Sequence, residues 1–160
     1  MANKAINDLL KYGVRLIDWT QPTLTSNGTV GGSSFACTGY ATQQQGEFYY
    51  AFDNNGATRW VGYHVGCYIT IYNPKKIKVS SINIVTSDQH INGLSLFGSN
   101  DNSNWNELYS GYTQNANSTN NLTILEANRG LYKYYKLELT AATYLNVWAI
   151  TYSALELQEY

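Results

Sequence analysis

The sequence has few charged residues. Lys, Arg, Asp and Glu together make up 13% of its 160 residues, about half the share found in an average globular protein. The formal net charge is −1, so the chain carries no field that would attract nucleic acid or an anionic membrane. We therefore expect neither partner. The abundant Tyr, Asn, Ser and Thr residues suit a β-rich domain that meets a neutral, hydroxyl-bearing molecule.

Cysteine is also scarce. The chain has only Cys37 and Cys67, and neither belongs to a CxxC pair, which argues against a closed zinc site. We expect two small buried thiols, because free cysteines are among the most buried residues in proteins. A disulfide between them is the alternative.

The motifs of the common enzyme classes are missing. The sequence contains no GxGxxG, phosphate-binding loop, HExxH or GxSxG pattern, and no triad spacing surrounds its two histidines. Its eleven acidic residues are scattered and do not indicate the paired carboxylates of a glycosidase. We predict a protein without catalysis and keep a small glycosidase as a third hypothesis.

Long apolar runs are missing too. None approaches the roughly 20 residues that span a bilayer, and the first 19 residues lack the apolar core and small-residue cleavage site of a signal peptide. If Met1 is the native start, we expect the protein to stay in the cell that makes it or to leave as part of a particle.

The first segment has helical spacing. Apolar residues within 4–17 recur at intervals of three and four and predict a short amphipathic helix, weakened in its middle by Gly13. We therefore divide the chain into a helical extension, residues 1–21, and a β domain, residues 22–160. The helix is predicted either to pack on its own domain or to anchor or oligomerise that domain in a larger assembly.

Short strands and turns follow. Within residues 131–139, Tyr135, Leu137 and Leu139 alternate with polar or aromatic neighbours, which is the period-2 pattern of a half-buried strand. Several such runs, separated by turns rich in Asn, Gly and Ser, predict an all-β antiparallel sandwich or barrel.

Four segments, in this order, resemble discoidin domains, the coagulation factor 5/8 type C family within the galactose-binding-like jelly rolls. They are "YAFDNNGATRW" (50–60), "LSLFGSNDNSNWNELYSG" (94–111), "LYKYYKLELTAA" (131–142) and "YSALELQEY" (152–160). The resemblance implies a jelly-roll β-sandwich over residues 22–160, with Trp105 packed inward. The terminal cysteine pair of extracellular animal members is missing.

The same resemblance implies a structural calcium ion. Many members of the family hold calcium where an acidic loop meets the closing strand, and the matching residues are Asp53, Asn55, Thr58 and Glu156. Oxygen ligands suit this cation, and Asn55 in place of an acid implies weak binding or an empty site. Alternatively, Asp53 and Thr58 only satisfy a tight turn.

Ligand recognition in this family uses loops at one end of the sandwich. An exposed aromatic ring stacks on the apolar face of a sugar, and polar side chains bond its hydroxyl groups. Taken from the loops of this chain, the candidate ligand-binding residues are Tyr40, His64, Asp88, His90, Asn92 and Tyr144.

The sequence therefore predicts a non-catalytic carbohydrate-binding domain. It resembles stand-alone discoidin-like proteins of bacteriophage particles, which implies a virion protein, present in many copies or as a homo-oligomer. Such a protein would attach the particle to glycans and would contact other virion proteins through the N-terminal helix. The alternative is a structural jelly roll that cements a virion and has no sugar site.

Overall fold

A computed structural model describes residues 14–159. Ten strands lie within this range, together with two short 3₁₀ turns, Phe48–Ala51 and Glu126–Asn128. The strands are Val14–Trp19 (β1), Ala36–Tyr40 (β2), Gln43–Gln45 (β3), Trp60–Tyr63 (β4), Tyr68–Thr86 (β5), Gly93–Ser99 (β6), Asn106–Gly111 (β7), Thr119–Thr123 (β8), Tyr132–Ala141 (β9) and Tyr144–Glu159 (β10). Over residues 14–159 no helix has the length and apolar character to cross a bilayer.

Strand β5 belongs to both layers of the sandwich. Its residues 68–72 pair with β2 and β9, whereas residues 77–86 pair with β10 and β8. Between them the register shifts at a segment that contains Pro74, which cannot donate a ladder hydrogen bond. The first layer therefore has the order β2-β5-β9-β6-β7, and the second has the order β3-β4-β10-β5-β8, with β1 also paired to β10. All of these pairings are antiparallel, as predicted.

The core lies between the two layers. Tyr135, Leu137 and Leu139 of β9 are fully buried, as their alternation predicts, and Trp60 of β4 is buried opposite them in the second layer. The Tyr135 hydroxyl donates to the carbonyl oxygen of Ile77 at 2.6 Å, so this polar group is satisfied inside the core. Burial raises the pKa of Tyr135 well above its usual value.

The two cysteines are buried and free, as expected. Cys37 lies on the inner side of β2, and Cys67 immediately precedes β5. Burial raises the pKa of Cys37 to about 12 and that of Cys67 to about 11. Both thiols are therefore protonated and unreactive at neutral pH.

The predicted N-terminal helix is wrong where the structure tests it. Residues 14–17 belong to β1, which pairs with the last residues of β10 from Val14↔Glu159 to Trp19↔Ala154. Strand β4 covers only the start of β10, so the rest of that edge offers unpaired backbone groups, which a new strand satisfies. Such tertiary pairing overrides a weak local helical preference. The remainder of the predicted helix, residues 4–13, lies outside the described residues.

Candidate functional site

Several loops meet at the end of the sandwich where β9 turns into β10. The backbone amide of His64, just after β4, donates to the carbonyl oxygen of Thr143 at 2.9 Å. The amide of Gly66 donates to Leu139 at 2.8 Å, and that of Ser87 donates to Asn146 at 3.3 Å. These bonds hold the segments 63–67, 87–92 and 141–144 together. The predicted loop residues other than Tyr40 lie in these segments.

An aromatic and acidic cluster stands at this end. The rings of Tyr63 and Tyr144 lie directly across the β4–β10 pair, with centroids 5.9 Å apart. The Tyr144 hydroxyl is 3.5 Å from a carboxylate oxygen of Asp88, and the Ser87 hydroxyl donates to the same oxygen at 3.1 Å. Partial burial raises the pKa of Tyr144, and the negative charge of Asp88 raises it further. Tyr144 is therefore a neutral hydroxyl at physiological pH, fixed beside a carboxylate.

The outer side of β10 continues this surface away from the loops. Asn146 follows Tyr144 on the same face of the strand, opposite Val61, and only 7% of it is exposed. Its side-chain oxygen Oδ1 is buried without a hydrogen-bond partner. Next along the strand, the Arg59 guanidinium lies 5.4 Å from the ring centroid of Trp148. We call Tyr63, Asp88, Tyr144, Asn146 and the Arg59–Trp148 pair the Tyr144 surface.

Backbone strain marks the same end. His64 has φ 75° and Ala142 has φ 145°, values that residues with a side chain rarely adopt. Their segments are joined by the His64–Thr143 hydrogen bond. Strained backbone of this kind persists where surrounding contacts impose it, often at functional sites. The exposed imidazole of His64 is thereby held at the tip of the sandwich.

The other predicted ligand residues are more dispersed. Asp88, His90 and Asn92 are all exposed in one segment, but only Asp88 bonds to Tyr144. Tyr40 lies in the first layer, where its ring is 6.0 Å from that of Tyr68. It is thus separate from the Tyr144 surface. Their contact with a ligand stays a prediction.

The loop that carries Asp53, Asn55 and Thr58 is closed by its own hydrogen bonds. The Thr58 hydroxyl donates to Asp53 Oδ2 at 2.6 Å, and the Asn55 amide donates to Asp53 Oδ1 at 2.9 Å. The side-chain oxygen of Asn55 accepts from the Ala57 amide at 3.0 Å. Both carboxylate oxygens of Asp53 are thus used within the loop, as expected for a tight turn.

Glu156 does not join this loop. Its carboxylate pairs with Lys75 at 3.3 Å and lies 3.5 Å from the side-chain amide of Asn73, at the bend of β5. The acidic loop lies beside residues 149–151 of β10, and Glu156 is five residues further on, roughly 16 Å at strand spacing. The four residues therefore do not fit one coordination sphere. Over residues 14–159, no three His, Cys, Asp or Glu side chains cluster as a metal site.

Trp105 is not a core residue. Its ring lies 4.8 Å from the Lys136 ammonium nitrogen, and Lys136 points away from the core because Tyr135 and Leu137 point into it. The expectation of an inward Trp105 is therefore wrong. The turn at residues 99–104 folds the ring back over the outer side of the first layer.

Sequence reasoning placed Tyr63, Asn146 and Trp148 in candidate loops but did not choose them as ligand residues, and it did not single out Arg59. Tyr63 and Asn146 could have been found by continuing the period-2 alternation of β4 and β10 outward from buried Trp60 and Leu145. No sequence signal pairs Arg59 with Trp148, because that contact joins the segment before β4 to β10, which lie far apart in the chain.

Comparison with known proteins shows the fold. Sequence comparison finds no matching protein family and no curated relative. Among solved structures, the chain is similar to the CBM32 of AlyQ in complex with 4,5-unsaturated mannuronic acid, at 19% identity over 73% of this chain and 92% of that one, with a TM-score of 0.63.

Two further structures are comparably similar. The family 32 carbohydrate-binding module of NanJ from Clostridium perfringens, in complex with galactose, matches at 14% identity over 78% of this chain and 93% of that one, with a TM-score of 0.61. A pectin-binding carbohydrate-binding module matches at 20% identity over 72% and 91%, with a TM-score of 0.58. The chain thus has the galactose-binding-like jelly-roll fold that its resemblance to discoidin domains predicts.

Proposed function

We propose that this protein is a carbohydrate-binding domain and that the Tyr144 surface is its sugar site. The observation that carries the proposal is the pair of Tyr63 and Tyr144 rings, with centroids 5.9 Å apart, beside the Asp88 carboxylate, 3.5 Å from the Tyr144 hydroxyl. Both rings are partly exposed and Asp88 is exposed, so a ligand reaches all three without a rearrangement of the surface.

The chemistry of the surface suits a sugar. The Tyr63 and Tyr144 rings supply rigid apolar area for the C–H face of a pyranose. The Asp88 carboxylate accepts hydrogen bonds from sugar hydroxyl groups, and bonds to a charged acceptor are stronger than neutral ones. The Arg59 guanidinium offers further donors. Recognition would combine one stacked ring with a few directed hydrogen bonds, without covalent chemistry.

The comparisons support the class of ligand. Solved modules of this fold hold an unsaturated mannuronic acid or galactose, and another binds pectin. The absence of catalysis stays a prediction, and so does the identity of the sugar.

Attachment of a phage particle to glycans is the finer form of this proposal, and it rests on sequence resemblance alone. Weak single sites would act there through many copies, since avidity exceeds single-site affinity by about 10² to 10⁴. A purely cementing role would instead use a flat apolar patch, whereas the Tyr144 surface mixes rings with charged groups. Copurification of the protein with purified particles would test the virion role.

The sugar site is tested with a glycan array probed with a multivalent form of the protein. We expect binding to a subset of glycans and a loss of about tenfold or more for Tyr144→Ala, because truncating an aromatic anchor costs about 2 kcal/mol. Leu125→Ala is the matched control, since Leu125 is 71% exposed and adjoins Ile124, which bonds to Ser80 far from the loops. Silence of the folded wild type across the array would overturn the proposal and favour the cementing role.

A further inference from the structure

A second aromatic surface covers the outer side of the first layer. The strand registers place Tyr40 beside Tyr68, Tyr68 beside Glu138, and Phe97 beside Lys136. These side chains point away from the core, because their neighbours Ile69, Leu96 and Leu137 point into it. Together with Trp105 they form what we call the Lys136 face: Tyr40, Tyr68, Phe97, Trp105, Lys136 and Glu138.

Lys136 holds the rings of this face in place. Its ammonium nitrogen lies 5.3 Å from the ring centroid of Tyr68 and 4.8 Å from those of Phe97 and Trp105. The same nitrogen pairs with the Glu138 carboxylate at 3.1 Å, and only 16% of the lysine side chain is exposed. Three rings on three different strands or turns are thus fixed around one cation. Rings that are already ordered cost a ligand little conformational entropy.

The face remains open to solvent. Tyr40 is 53% exposed, and Tyr68, Phe97 and Trp105 are each partly exposed. A fold that needed these rings only for stability would bury them more fully, because each aromatic ring carries a large apolar area. Their exposure indicates a surface that meets another molecule.

The chemistry of the face selects its occupant. Lys136 is neutralised by Glu138, and Glu107 stands opposite Phe97 on β7, so the local charge is −1. That balance disfavours an acidic glycan or an anionic membrane. Glu107 and exposed Ser110 share the Ser95 hydroxyl, at 3.4 and 3.3 Å. These groups and the tyrosine hydroxyls would lose their contact with water against an apolar protein surface, which is costly. A neutral sugar chain matches both the rings and the polar groups.

The size of the face indicates a chain of sugars. Tyr40 on β2 and Phe97 on β6 are separated by β5 and β9. Three interstrand spacings of about 4.8 Å give roughly 14 Å between these positions. This distance exceeds the length of one monosaccharide, so the two rings would stack on different units of one oligosaccharide.

We propose that the Lys136 face is a second carbohydrate-binding surface, which takes a neutral oligosaccharide laid across β2, β5, β9 and β6. It extends the proposed function but does not depend on the Tyr144 surface, because the two surfaces lie on different layers and share no residue. A protein with both would bind a long glycan chain more tightly than a monosaccharide.

Affinity electrophoresis, compared with the glycan array, distinguishes binding by the Lys136 face from binding by the Tyr144 surface. The full chain is run in gels that contain neutral polysaccharides (galactan, glucomannan and xyloglucan) or the acidic polymer polygalacturonate. We expect retardation by at least one neutral polymer, about tenfold weaker for Tyr40→Ala and for Trp105→Ser. Tyr144→Ala should keep this retardation while losing glycan-array binding, and Leu125→Ala should change neither. Circular dichroism confirms that each variant is folded.

Other outcomes overturn the proposal. If no neutral polymer retards the folded wild type, or if Tyr40→Ala and Trp105→Ser leave retardation unchanged, the face is not a glycan site. Retardation by polygalacturonate alone would contradict the charge argument. Concentration-dependent dimerisation that Tyr40→Ala abolishes would assign the face to a second copy of the chain. Failure of the Tyr144 surface is recognised separately, by Tyr144→Ala leaving array binding unchanged.

Discussion

The Tyr144 surface and the Lys136 face contain similar residues but treat their polar groups in opposite ways. On the Tyr144 surface, the buried Oδ1 of Asn146 has no partner, and the Asp88 carboxylate is exposed beside Tyr144. On the Lys136 face, the cation is surrounded by three rings and paired with Glu138. One surface has hydrogen-bonding capacity left over, and the other has used its capacity internally.

This difference bears on specificity. The exposed Asp88 carboxylate beside the rings accepts only from a correctly placed donor, and bonds to a charged acceptor are stronger than neutral ones, so the Tyr144 surface is suited to choosing one sugar. Preset rings bind mainly by stacking, which tolerates variation among ligands. The Lys136 face is therefore suited to holding a chain whose individual units it does not distinguish.

The largest expected effect is on stability, through Lys136→Met. Methionine keeps much of the apolar stem but loses the interaction with three rings and leaves Glu138 unpaired. A cation–π contact contributes about 0.5–1 kcal/mol even at an exposed site, so for three contacts we expect the free energy of unfolding to fall by about 2 kcal/mol. Urea denaturation measures this, with exposed Lys76→Met as the control. Equal stability of the two variants would mean that the cation does not order the face.

In contrast to Lys136→Met, Asn146→Leu should raise the stability of the protein. Leucine has a similar volume and removes the unpaired buried oxygen, so the free energy of unfolding should rise by about 1 kcal/mol. Glycan-array binding should stay unchanged in the same variant, because the buried Oδ1 lies beneath the surface and does not reach a ligand. Urea denaturation and the array measure stability and binding on one protein sample. A loss of stability would contradict the cost assigned to the unpaired oxygen, and a loss of binding would show that the sugar reaches Asn146.

The alternation of β9 explains why the fold could be predicted and the outer surfaces could not. The apolar side chains of Tyr135, Leu137 and Leu139 are enough to predict which face of β9 is buried, because burial of apolar area drives folding. The other face of the same strand carries Tyr134, Lys136 and Glu138, and its role depends on which strands lie beside it. Register is a tertiary property that local pattern does not encode.

The predictions of a buried Trp105 and of a helix at residues 14–17 were wrong for the same reason. A tryptophan after a polar turn has the apolarity of a core residue, but the direction of the turn and the position of the Lys136 cation decide where its ring lies. Residues 14–17 have helical spacing, but the free edge of β10 decides their conformation. His64 and Tyr144 were predicted from loop position, and the structure joins their segments by the His64–Thr143 bond. The prediction grouped Tyr40 with them, although it belongs to the other layer.

We expect a smaller effect on stability from a change in the turn that places Trp105 on the Lys136 face. Asp101 accepts hydrogen bonds from the amides of Ser103 and Asn104, at 2.9 and 2.8 Å, and from the Asn104 side chain at 2.7 Å. These bonds, chiefly those from Asn104, hold the pKa of Asp101 well below its usual value.

The sign of the pH dependence follows from this shift. Because the folded state favours the charged carboxylate, its stabilisation is complete above about pH 4, the ordinary pKa of Asp, and is lost as the pH falls through the lower folded pKa. Asp101→Asn should therefore melt below the wild type at pH 7, and the difference should shrink towards pH 2. Thermal melts across this range measure it. A difference that stays constant with pH would assign the effect to shape and not to charge.

The smallest effect is expected from calcium. Binding would require Asp53 to exchange its bonds to Thr58 and Asn55 for a cation, and Glu156 would have to leave Lys75. We therefore expect the melting temperature in millimolar calcium to exceed that in chelator by no more than about 2 °C, because a weakly bound ion stabilises little. Thr58→Val is the informative variant, since it breaks the loop's own bond without removing a carboxylate. A large rise in the melting temperature of the wild type in calcium, lost in Asp53→Asn, would mean that the loop opens to hold the ion. Calcium would then be a structural ion of the domain.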